Sequence, residues 1–599
     1  MNYSTNESEH LKSPYDYYES RIALLEKETA VKKKKLLNLS FLRLLVFVVS
    51  GFASYWLYDG ILSLTYTLLP GLIIFLWLIS KYSDSKYLYE KHLRLIEINK
   101  TELQVLDKDF KGLEDGSEFL DSAHEFARDI DLFGEGSFFQ YINRTALNEG
   151  KEKLANVLMA NKTDQILAKQ EAVKTLAGMP EWRQEYLAVA SLIKAETSSR
   201  AVLSWLEKHK RFTPSYARLL SLVFSAVSLG LCIVTISGFL NERILLVWFL
   251  IGLGITGRYF KKVNKLSDHT SRVQSTFDQY HQLLGLLENK QFNSSLLDQK
   301  LKTIQKGALK SSWVLKKFSK AIDALDQRNN MIFGILANGF LLWDLYQSNR
   351  IENWIHKYEG EVERWFELVC FFDAQISLAN FVFNHPLYTF PEISDDAQLI
   401  KALEASHPLL DSEKSVKNSF EVKEGAFFII TGANMAGKST FLRTVSLLIV
   451  MANTGLPVCA DFMRYRPVQL ITSMRTSDSL ANEESYFFSE LKRLKFIVDT
   501  IKNENYFVVL DEILKGTNST DKANGSKKFI EKLVAAKVTG IVATHDLSLC
   551  VLEEKLDAVE NYYFDAEIID DELHFDYLLK EGVCKNMNAS FLLKKMEIV

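Results

Sequence analysis

Four long apolar stretches interrupt the otherwise mixed polar pattern of this 599-residue chain. They cover residues 36–58, 61–80, 219–240 and 244–257. Arg43 is the only charged side chain in them, and the short polar turns Asp59-Gly60 and Asn241-Glu242-Arg243 divide them into two pairs. A helix of about 20 apolar residues crosses the roughly 30 Å hydrocarbon core of a bilayer. The pattern therefore predicts two transmembrane helical hairpins, at 36–82 and 218–260.

Basic side chains lie on the outer flanks of both predicted hairpins. They are Lys32, Lys33, Lys34, Lys35, Lys81, Lys208, Lys210, Arg211, Arg218, Arg258, Lys261 and Lys262. Arg243 is the only basic residue in the two turns. Because cytoplasmic flanks carry the excess of Lys and Arg, we predict a multi-pass protein of the inner (cytoplasmic) membrane with both termini in the cytoplasm. The alternative interpretation is a soluble bundle with four buried core helices.

The remaining pattern before residue 390 is mostly helical. Residues 266–325 carry apolar side chains at steps of three and four, which is typical of amphipathic helices. The apolar run at 331–342 is short and is followed by Asp344, so we predict a core helix there. Only nine prolines occur in the whole chain, which leaves room for long helices.

Three short apolar runs near the C-terminus predict buried strands instead, at 426–430, 506–510 and 539–543. The first is followed by G-A-N-M-A-G-K-S, which fits the phosphate-loop pattern G-x-x-x-x-G-K-[ST] and precedes a helical run. The candidate phosphate-binding residues are Gly432, Ala433, Asn434, Met435, Ala436, Gly437, Lys438, Ser439 and Thr440. In such a loop Lys438 reaches the β- and γ-phosphates and the Ser439 hydroxyl binds Mg²⁺. The pattern predicts nucleoside triphosphate binding.

The other two strands each end in candidate catalytic residues. Asp511 and Glu512 follow the second strand, and His545 follows the third. We expect Asp511 to hold Mg²⁺, Glu512 to polarise the attacking water, and His545 to sense the γ-phosphate and orient that water. A purely structural role for His545 is the alternative.

Composition narrows the class of protein. The net charge is −4 and the sequence pI is about 6.3, so the chain has no global basic field of the kind that non-specific DNA binding uses. The five cysteines form no C-x-x-C pair and are typical of reduced thiols in a cytosolic compartment.

Five ordered landmarks resemble the MutS mismatch-repair ATPases. They are T-G-A-N-M-A-G-K-S-T at 431–440, S-Y-F-F-S-E at 485–490 (family S-x-F-x-x-E), D-E-I-L-K-G-T at 511–517 (family D-E-I-x-x-G-T), A-T-H at 543–545, and His407-Pro408. The resemblance covers roughly residues 120–599. It implies an ABC-type ATPase that hydrolyses ATP with Mg²⁺.

The resemblance also implies a composite site between two subunits. Ser485 would contact, in trans, the γ-phosphate held by a partner, so the working unit would be a homodimer joined through its ATPase domains. Val416 and Tyr577 fall near the adenine-contact positions of the family. One departure is Asn482-Glu483-Glu484 before the serine, where the family shows small or basic residues; carboxylates there would repel a γ-phosphate unless they point away.

Together these patterns predict a multidomain chain. Its α-helical core and lever region carries two transmembrane hairpins and is followed by an α/β P-loop ATPase domain. The predicted segments are a cytoplasmic helix at 1–35, hairpin 1 at 36–82, a connecting helix at 83–120, a MutS-like core and lever at 121–390 with hairpin 2 at 218–260, and the ATPase domain at 391–599.

Two functions remain open at this point. The first is a membrane-anchored MutS-type ATPase whose dimeric clamp closes with ATP and binds DNA, as in mismatch repair. The second is an ATP-driven machine of the membrane or envelope that does not bind DNA. No F-x-E element of a mismatch-reading domain occurs N-terminal to the core, and hairpin 1 stands where such a domain is expected.

Overall fold

The computed structural model describes residues 13–193, 195–305, 309–411, 413–433, 435–475, 486–502, 504–514, 519–569 and 572–585. Helices dominate the first two thirds of the chain. They are α1 Pro14–Trp56, α2 Ile61–Leu106, α3 Phe138–Ile142, α4 Asn148–Met159, α5 Ile166–Ala177, α6 Pro180–Leu192, α7 Ser199–Lys208, α8 Ala217–Ile236, α9 Glu242–Gly257, α10 Phe260–Glu288, α11 Ser295–Lys302, α12 Ser311–Asp326, α13 Met331–Leu341 and α14 Trp343–Asn384. The predicted order, helical region first and α/β domain second, is confirmed.

Two sheets and three helices form the α/β part. The strands are β1 Glu392–Ile393, β2 Gln398–Ala405, β3 Asn418–Lys423, β4 Phe427–Gly432, β5 Phe462–Tyr465, β6 Gln469–Ser473, β7 Tyr506–Asp511, β8 Thr539–Ala543, β9 Val559–Ile569 and β10 Glu572–Glu581, and the helices are α15 Lys438–Thr454, α16 Tyr486–Thr500 and α17 Ser519–Ala535. The smaller sheet has the order β1-β5-β2-β3, and the larger has the order β10-β9-β4-β8-β7-β6. In the larger sheet β4, β6, β7, β8 and β9 are parallel. The three predicted strands are its central members, which brings their carboxyl ends to one edge.

Helices α1 and α2 form a long antiparallel pair whose distal half is apolar and uncovered. Phe52 and Trp56 near its tip are 71% and 83% exposed. The helices pack closely because Gly71 faces Ser50, where a Cβ would lie 2.1 Å from the Ser50 hydroxyl oxygen. Arg43 places its guanidinium 3.9 Å from the centre of the Tyr82 ring. Both helices run unbroken through the domain boundaries predicted at residues 35 and 82.

A second apolar group is built from α8, α9 and α13. Trp248 of α9 stacks on Phe224 of α8, with ring centres 4.3 Å apart. Gly252 of α9 meets Gly339 of α13 so closely that a Cβ on Gly252 would lie 2.2 Å from the Gly339 carbonyl oxygen. The helix predicted at 331–342 is present, but only one face of it is buried, at Gly334, Ala337 and Gly339. Its other face is uncovered, since Met331 is 74% and Ile332 71% exposed. An 11-residue apolar helix has the same pattern in a core as on an uncovered surface.

Four described helices are long and apolar enough to span a membrane. They are α1, α2 from residue 65, α8 and α14. Helix α14 is largely buried within the protein, whereas the apolar window of α1 is not buried at all. Helix α9 is shorter than a span and reaches the length only together with α10, from which a bend of 63° separates it. The two transmembrane hairpins stay a prediction.

Helix α14 connects the helical region to the sheets. Near its C-terminal end Asn384 accepts a hydrogen bond from the Tyr18 hydroxyl (2.7 Å) and donates one to Glu102 (2.8 Å). Glu102 also pairs with Arg144, with 2.7 Å between Oε1 and Nε. The base of the α1–α2 pair is therefore tied to the helix that leads directly into β1.

Candidate nucleotide-binding site

The loop between β4 and α15 has the backbone geometry of a phosphate cradle. Gly432 (φ 145°) and Gly437 (φ 108°) both adopt conformations that side chains rarely tolerate. A Cβ on Gly432 would lie 2.5 Å from the Phe564 carbonyl oxygen on neighbouring β9. The first N–H groups of α15 point out of the helix start without intrahelical acceptors, and such a terminus attracts anions. The two fixed glycines of the pattern are thus required by the fold.

Lys438, the first residue of α15, directs its side chain back into this loop. Its Nζ donates to the carbonyl oxygens of Gly432 and Ala433, both at 2.8 Å, and lies 3.4 Å from Nε2 of His545. The side chain is only 6% exposed. Burial lowers its pKa from the ordinary value, while the nearby carboxylates of Asp511 and Glu512 act in the opposite direction. A buried cation held by loop carbonyls is available to exchange those contacts for phosphate oxygens.

The strand ends bring the predicted metal and catalytic residues together. The Ser439 hydroxyl donates to Oδ2 of Asp511 at 2.8 Å, although 72 residues separate them. Nε2 of His545 lies 3.0 Å from Oε1 of Glu512. Glu512 has a positive φ of 48°, and its N–H donates to the Ala543 carbonyl oxygen at 2.9 Å. This backbone bond fixes the end of β7 against the end of β8, where His545 follows.

One of the two residues predicted for adenine contact, Tyr577, lies beside the same loop. The Tyr577 ring is a close neighbour of Gly437, since a Cβ there would lie 3.2 Å from the ring. Asn418, two residues after Val416, donates its side-chain amide to the Tyr577 carbonyl oxygen (3.0 Å) and accepts from the Leu579 N–H (2.7 Å). Tyr577 is 43% and Val416 37% exposed, so both side chains have accessible surface, and the adenine contact of Val416 stays a prediction.

Other predicted residues complete the picture only in part. Met435 is exposed with φ 67°, Ala436 is buried, and Thr440 lies exposed in the first turn of α15. Asn434 and Ser485 lie outside the described residues, as do Glu483 and Glu484. His407 is half-buried, and desolvation together with neighbouring Arg443 lowers its pKa to about 4. It is therefore a neutral structural residue at physiological pH.

Comparison with known proteins shows which protein family the C-terminal part of this chain resembles. Residues 428–595 match MutS domain V. This C-terminal part of the chain is therefore similar to MutS domain V. Relatives include the DNA mismatch repair protein MSH4 of Arabidopsis thaliana (31% identical over 238 residues, 38% of this chain and 30% of the relative) and the DNA mismatch repair protein MutS of Aquifex pyrophilus (34% over 202 residues, 33% and 23%). MutS protein homolog 4 of Homo sapiens is 30% identical over 222 residues. The matched part spans less than a third of each of these relatives.

Glu490, which helps to position this site, is not singled out in the sequence analysis. Glu490, the last residue of the S-Y-F-F-S-E motif, is 3% exposed and accepts from the Leu514 N–H at 2.5 Å. Leu514 lies directly after the D-E-I segment and has a positive φ of 60°. The carboxylate therefore fixes the backbone that follows Glu512. The motif contained the signal, since a glutamate ends it.

A second set of contacts that the sequence does not predict joins the part of the chain that matches MutS domain V to the helical region. Asp129 accepts from the Thr472 hydroxyl (2.6 Å) and from the N–H groups of Met474 and Arg475 (both 3.0 Å). The Arg475 guanidinium in turn donates to both carboxylate oxygens of Asp131. Arg475 is the last described residue before the motif that contains Ser485. No local pattern predicts these bonds, because about 340 residues separate the partners.

Proposed function

We propose that this chain is a membrane-anchored, MutS-type ATPase that binds and hydrolyses ATP as a homodimer and binds DNA. The observation that carries the ATPase part is the cluster around Lys438, in which Ser439 meets Asp511 at 2.8 Å and His545 meets Glu512 at 3.0 Å. Phosphoryl transfer uses a glycine-rich loop and a cation to bind the phosphates, oxygen ligands to hold Mg²⁺, and a residue that positions the attacking group. This cluster contains a candidate for each of them.

Each residue has a defined role in this proposal. The loop from Gly432 to Thr440 and Lys438 bind the phosphates, and Val416 and Tyr577 flank the adenine. Hydroxyl and carboxylate oxygens suit Mg²⁺, so Ser439 and Asp511 are the residues that would hold the ion, which would neutralise phosphate charge. Glu512 accepts the proton of the attacking water, and His545 fixes the carboxylate in place. Ser485 of one subunit acts on the nucleotide of the other.

The membrane part rests on the two uncovered apolar groups. Large side chains such as Trp56, Phe239 and Ile236 are more than four-fifths exposed. Soluble monomers rarely expose contiguous apolar surface of this extent. Hydrocarbon would cover the apolar half of α1–α2 and the α8–α9–α13 group, and the basic flanks support a cytoplasmic position for the ATPase domain.

DNA binding rests on the relatives, two of which are named as DNA mismatch repair proteins. One feature favours a second function, an ATP-driven membrane or envelope machine that does not bind DNA. Helices α8 and α9 lie between α7 and α10 in the chain, and Tyr18 and Glu102 tie the α1–α2 pair to α14. Motion of the ATPase domain would therefore reach the apolar helices directly.

The deciding experiment measures ATP turnover of the detergent-purified full chain with perfect, mismatched and branched duplex DNA at two salt concentrations. A DNA-dependent change in rate that weakens with salt is the result expected from phosphate contacts. Robust turnover that no DNA alters would refute DNA binding and support the membrane machine.

Glu512→Gln provides the internal test of the ATPase part. We expect turnover to fall by about 10²–10⁴-fold, because proton acceptance is lost, while nucleotide binding and dimer closure persist. Glu554→Gln, the same change at an exposed glutamate, should leave turnover intact. Unchanged turnover in Glu512→Gln would overturn the assignment of the catalytic carboxylate.

A further inference from the structure

A basic cavity lies at the foot of the α8–α9 pair. Its volume is about 700 Å³, and it opens between the end of α7, the turn that follows, and the start of α10. Trp205, Lys208, Lys210, Arg211, Lys262 and Lys265 are among the lining residues. No aspartate or glutamate belongs to the described lining. The cavity is distant in sequence from every residue of the nucleotide site.

A buried carboxylate outside the lining holds the turn that forms one side of this cavity. Glu352 of α14 is 2% exposed and accepts from the N–H groups of Phe212 (2.9 Å) and Thr213 (3.0 Å) and from Nε2 of His209 (3.0 Å). Burial alone would raise the pKa of Glu352, but these hydrogen bonds lower it below the ordinary value. The ionised carboxylate therefore makes its hydrogen bonds within the turn and holds the turn's backbone in one conformation. Lys208, Lys210 and Arg211 project from a fixed frame.

Five basic side chains that line the cavity make no ion pair with a carboxylate in the described part of the chain. Across the described ranges, no carboxylate lies within 4 Å of the charged groups of Lys208, Lys210, Arg211, Lys262 or Lys265. Five cations around one concave space repel one another. Such an arrangement is stabilised by a bound anion, and phosphate is the anion whose oxygens suit several lysines and an arginine at once.

The position of the cavity indicates which phosphate. The turn leads into α8 at Ala217, and α10 begins at Phe260 just after α9 ends at Gly257. Tyr216 and Phe260, at the two helix junctions, are 60% and 55% exposed. Aromatic side chains and basic residues together mark the headgroup level of a bilayer. The cavity therefore lies where both α8 and α9 would leave the hydrocarbon on the cytoplasmic side.

We propose that this cavity binds the phosphate headgroup of an anionic phospholipid from the cytoplasmic leaflet. This inference rests on the membrane part of the proposed function. A headgroup fits an open concavity of this size beside apolar helices, whereas duplex DNA needs an extended basic surface that follows its backbone. The bound lipid would clamp α7 and α10 at the base of the α8–α9 pair and so couple this pair to the lipid around it.

The test is lipid retention and rebinding by the detergent-purified full chain, followed by native mass spectrometry. The probes are phosphatidylglycerol and phosphatidylcholine. We expect saturable binding of phosphatidylglycerol over phosphatidylcholine, weakened roughly 30-fold in the double variant Lys208→Ala/Lys262→Ala, at about fivefold per lysine. The matched control is Lys33→Ala/Lys34→Ala, which removes two exposed charges from the flank of the other hairpin, outside the cavity. That control should bind within twofold of the wild type.

Several outcomes would overturn the inference. Equal weakening in both double variants would mean general charge attraction. Displacement of the lipid by inorganic phosphate at equal concentration would mean a free-phosphate site, and displacement by duplex DNA would mean a nucleic-acid surface. Release of the chain from membranes by alkaline carbonate would refute the membrane part of the proposed function itself. Firm membrane retention without lipid selectivity would refute the cavity proposal alone.

Discussion

The nucleotide site and the apolar helices indicate function in opposite ways. At the site, Lys438 is 6% exposed, and it meets His545, as Ser439 meets Asp511 and Glu512 meets His545, at or near hydrogen-bond distance. Along the apolar parts of α1 and α8, the described protein leaves many large side chains uncovered, as Trp56 at 83% and Ile236 at 86% exposure illustrate. The site indicates a ligand because the fold already holds its polar groups in position. The helices indicate an apolar environment because the fold leaves their side chains uncovered.

Helix α14 joins these two regions mechanically. Near its start, Asp344 pairs with Arg328 (2.9 Å), which precedes α13, and Leu345 packs with Phe224 of α8. Near its end, Asn384 belongs to the polar group at the base of α1–α2. A displacement of the sheets would therefore reach both apolar groups through one helix. The following predictions test whether the two regions differ as described.

Lys438→Ala should have the largest effect. Removing the buried cation eliminates the principal charge that faces the phosphates, so we expect ATP affinity to fall by at least about 100-fold. Equilibrium binding of a fluorescent ATP analogue measures it. Lys423→Ala, at an exposed lysine of β3, is the control and should bind normally. Retained affinity in Lys438→Ala would contradict the phosphate-loop assignment.

Leu229→Lys tests the environment of the uncovered helices. Leu229 lies in the middle of α8 and is 64% exposed. A lysine at the centre of a membrane-spanning helix costs about 2.5–3.5 kcal/mol, whereas an exposed site in water tolerates the change within about 0.5 kcal/mol. We expect the carbonate-resistant membrane fraction to fall steeply.

Leu167→Lys is the matched control for that change. Leu167 lies on α5, away from both apolar groups, and is 63% exposed. The same substitution at the same exposure should leave membrane retention unchanged. Equal behaviour of the two variants would mean that water surrounds α8 as it surrounds α5, which supports the alternative of a soluble bundle.

The sequence predicts these two regions unequally well. The phosphate loop is contiguous, so residues 432–440 alone predict its geometry, and strand ends in a parallel sheet necessarily meet. The bond from Glu490 to Leu514 and those from Asp129 to β6 depend on tertiary packing, which periodicity does not encode. The exposure of α13 is a further case, because only its neighbours α8 and α9 decide whether an apolar helix is covered. Asn434 and Ser485 stay predictions.

Gly252→Ala tests the packing of α13 on α9. A methyl group there would lie 2.2 Å from the Gly339 carbonyl oxygen, whereas a Cβ on Gly254, two residues further along α9, meets nothing within 4 Å. Overpacking of this kind costs about 1–3 kcal/mol. We expect Gly252→Ala to lower the thermal midpoint of the detergent-purified protein and Gly254→Ala to leave or raise it. Equal midpoints would mean that α13 does not pack on α9 in the detergent-solubilised protein.

The smallest predicted effect concerns Asp373, where α14 crosses α4. Burial raises the pKa of this carboxyl to about 7, against the opposing hydrogen bonds from the N–H groups of Ala146 and Leu147. A raised pKa means that the folded state holds the proton more tightly than the unfolded state, so stability falls as pH rises towards and through 7. Between pH 6 and pH 8 this loss amounts to about 1 kcal/mol.

Asp373→Asn should remove that pH dependence. The amide oxygen can still accept from the Ala146 and Leu147 N–H groups, and no charge remains to be buried. The thermal midpoint of the wild type should fall relative to the variant as pH rises from 6 to 8, whatever the constant offset between them. The comparison uses the slope because Gly150 contacts this carboxylate so closely that the amide can shift absolute stability. Parallel slopes for the two proteins would show that Asp373 is ionised throughout this range, and the α4–α14 crossing would then contain a buried charge rather than a neutral acid.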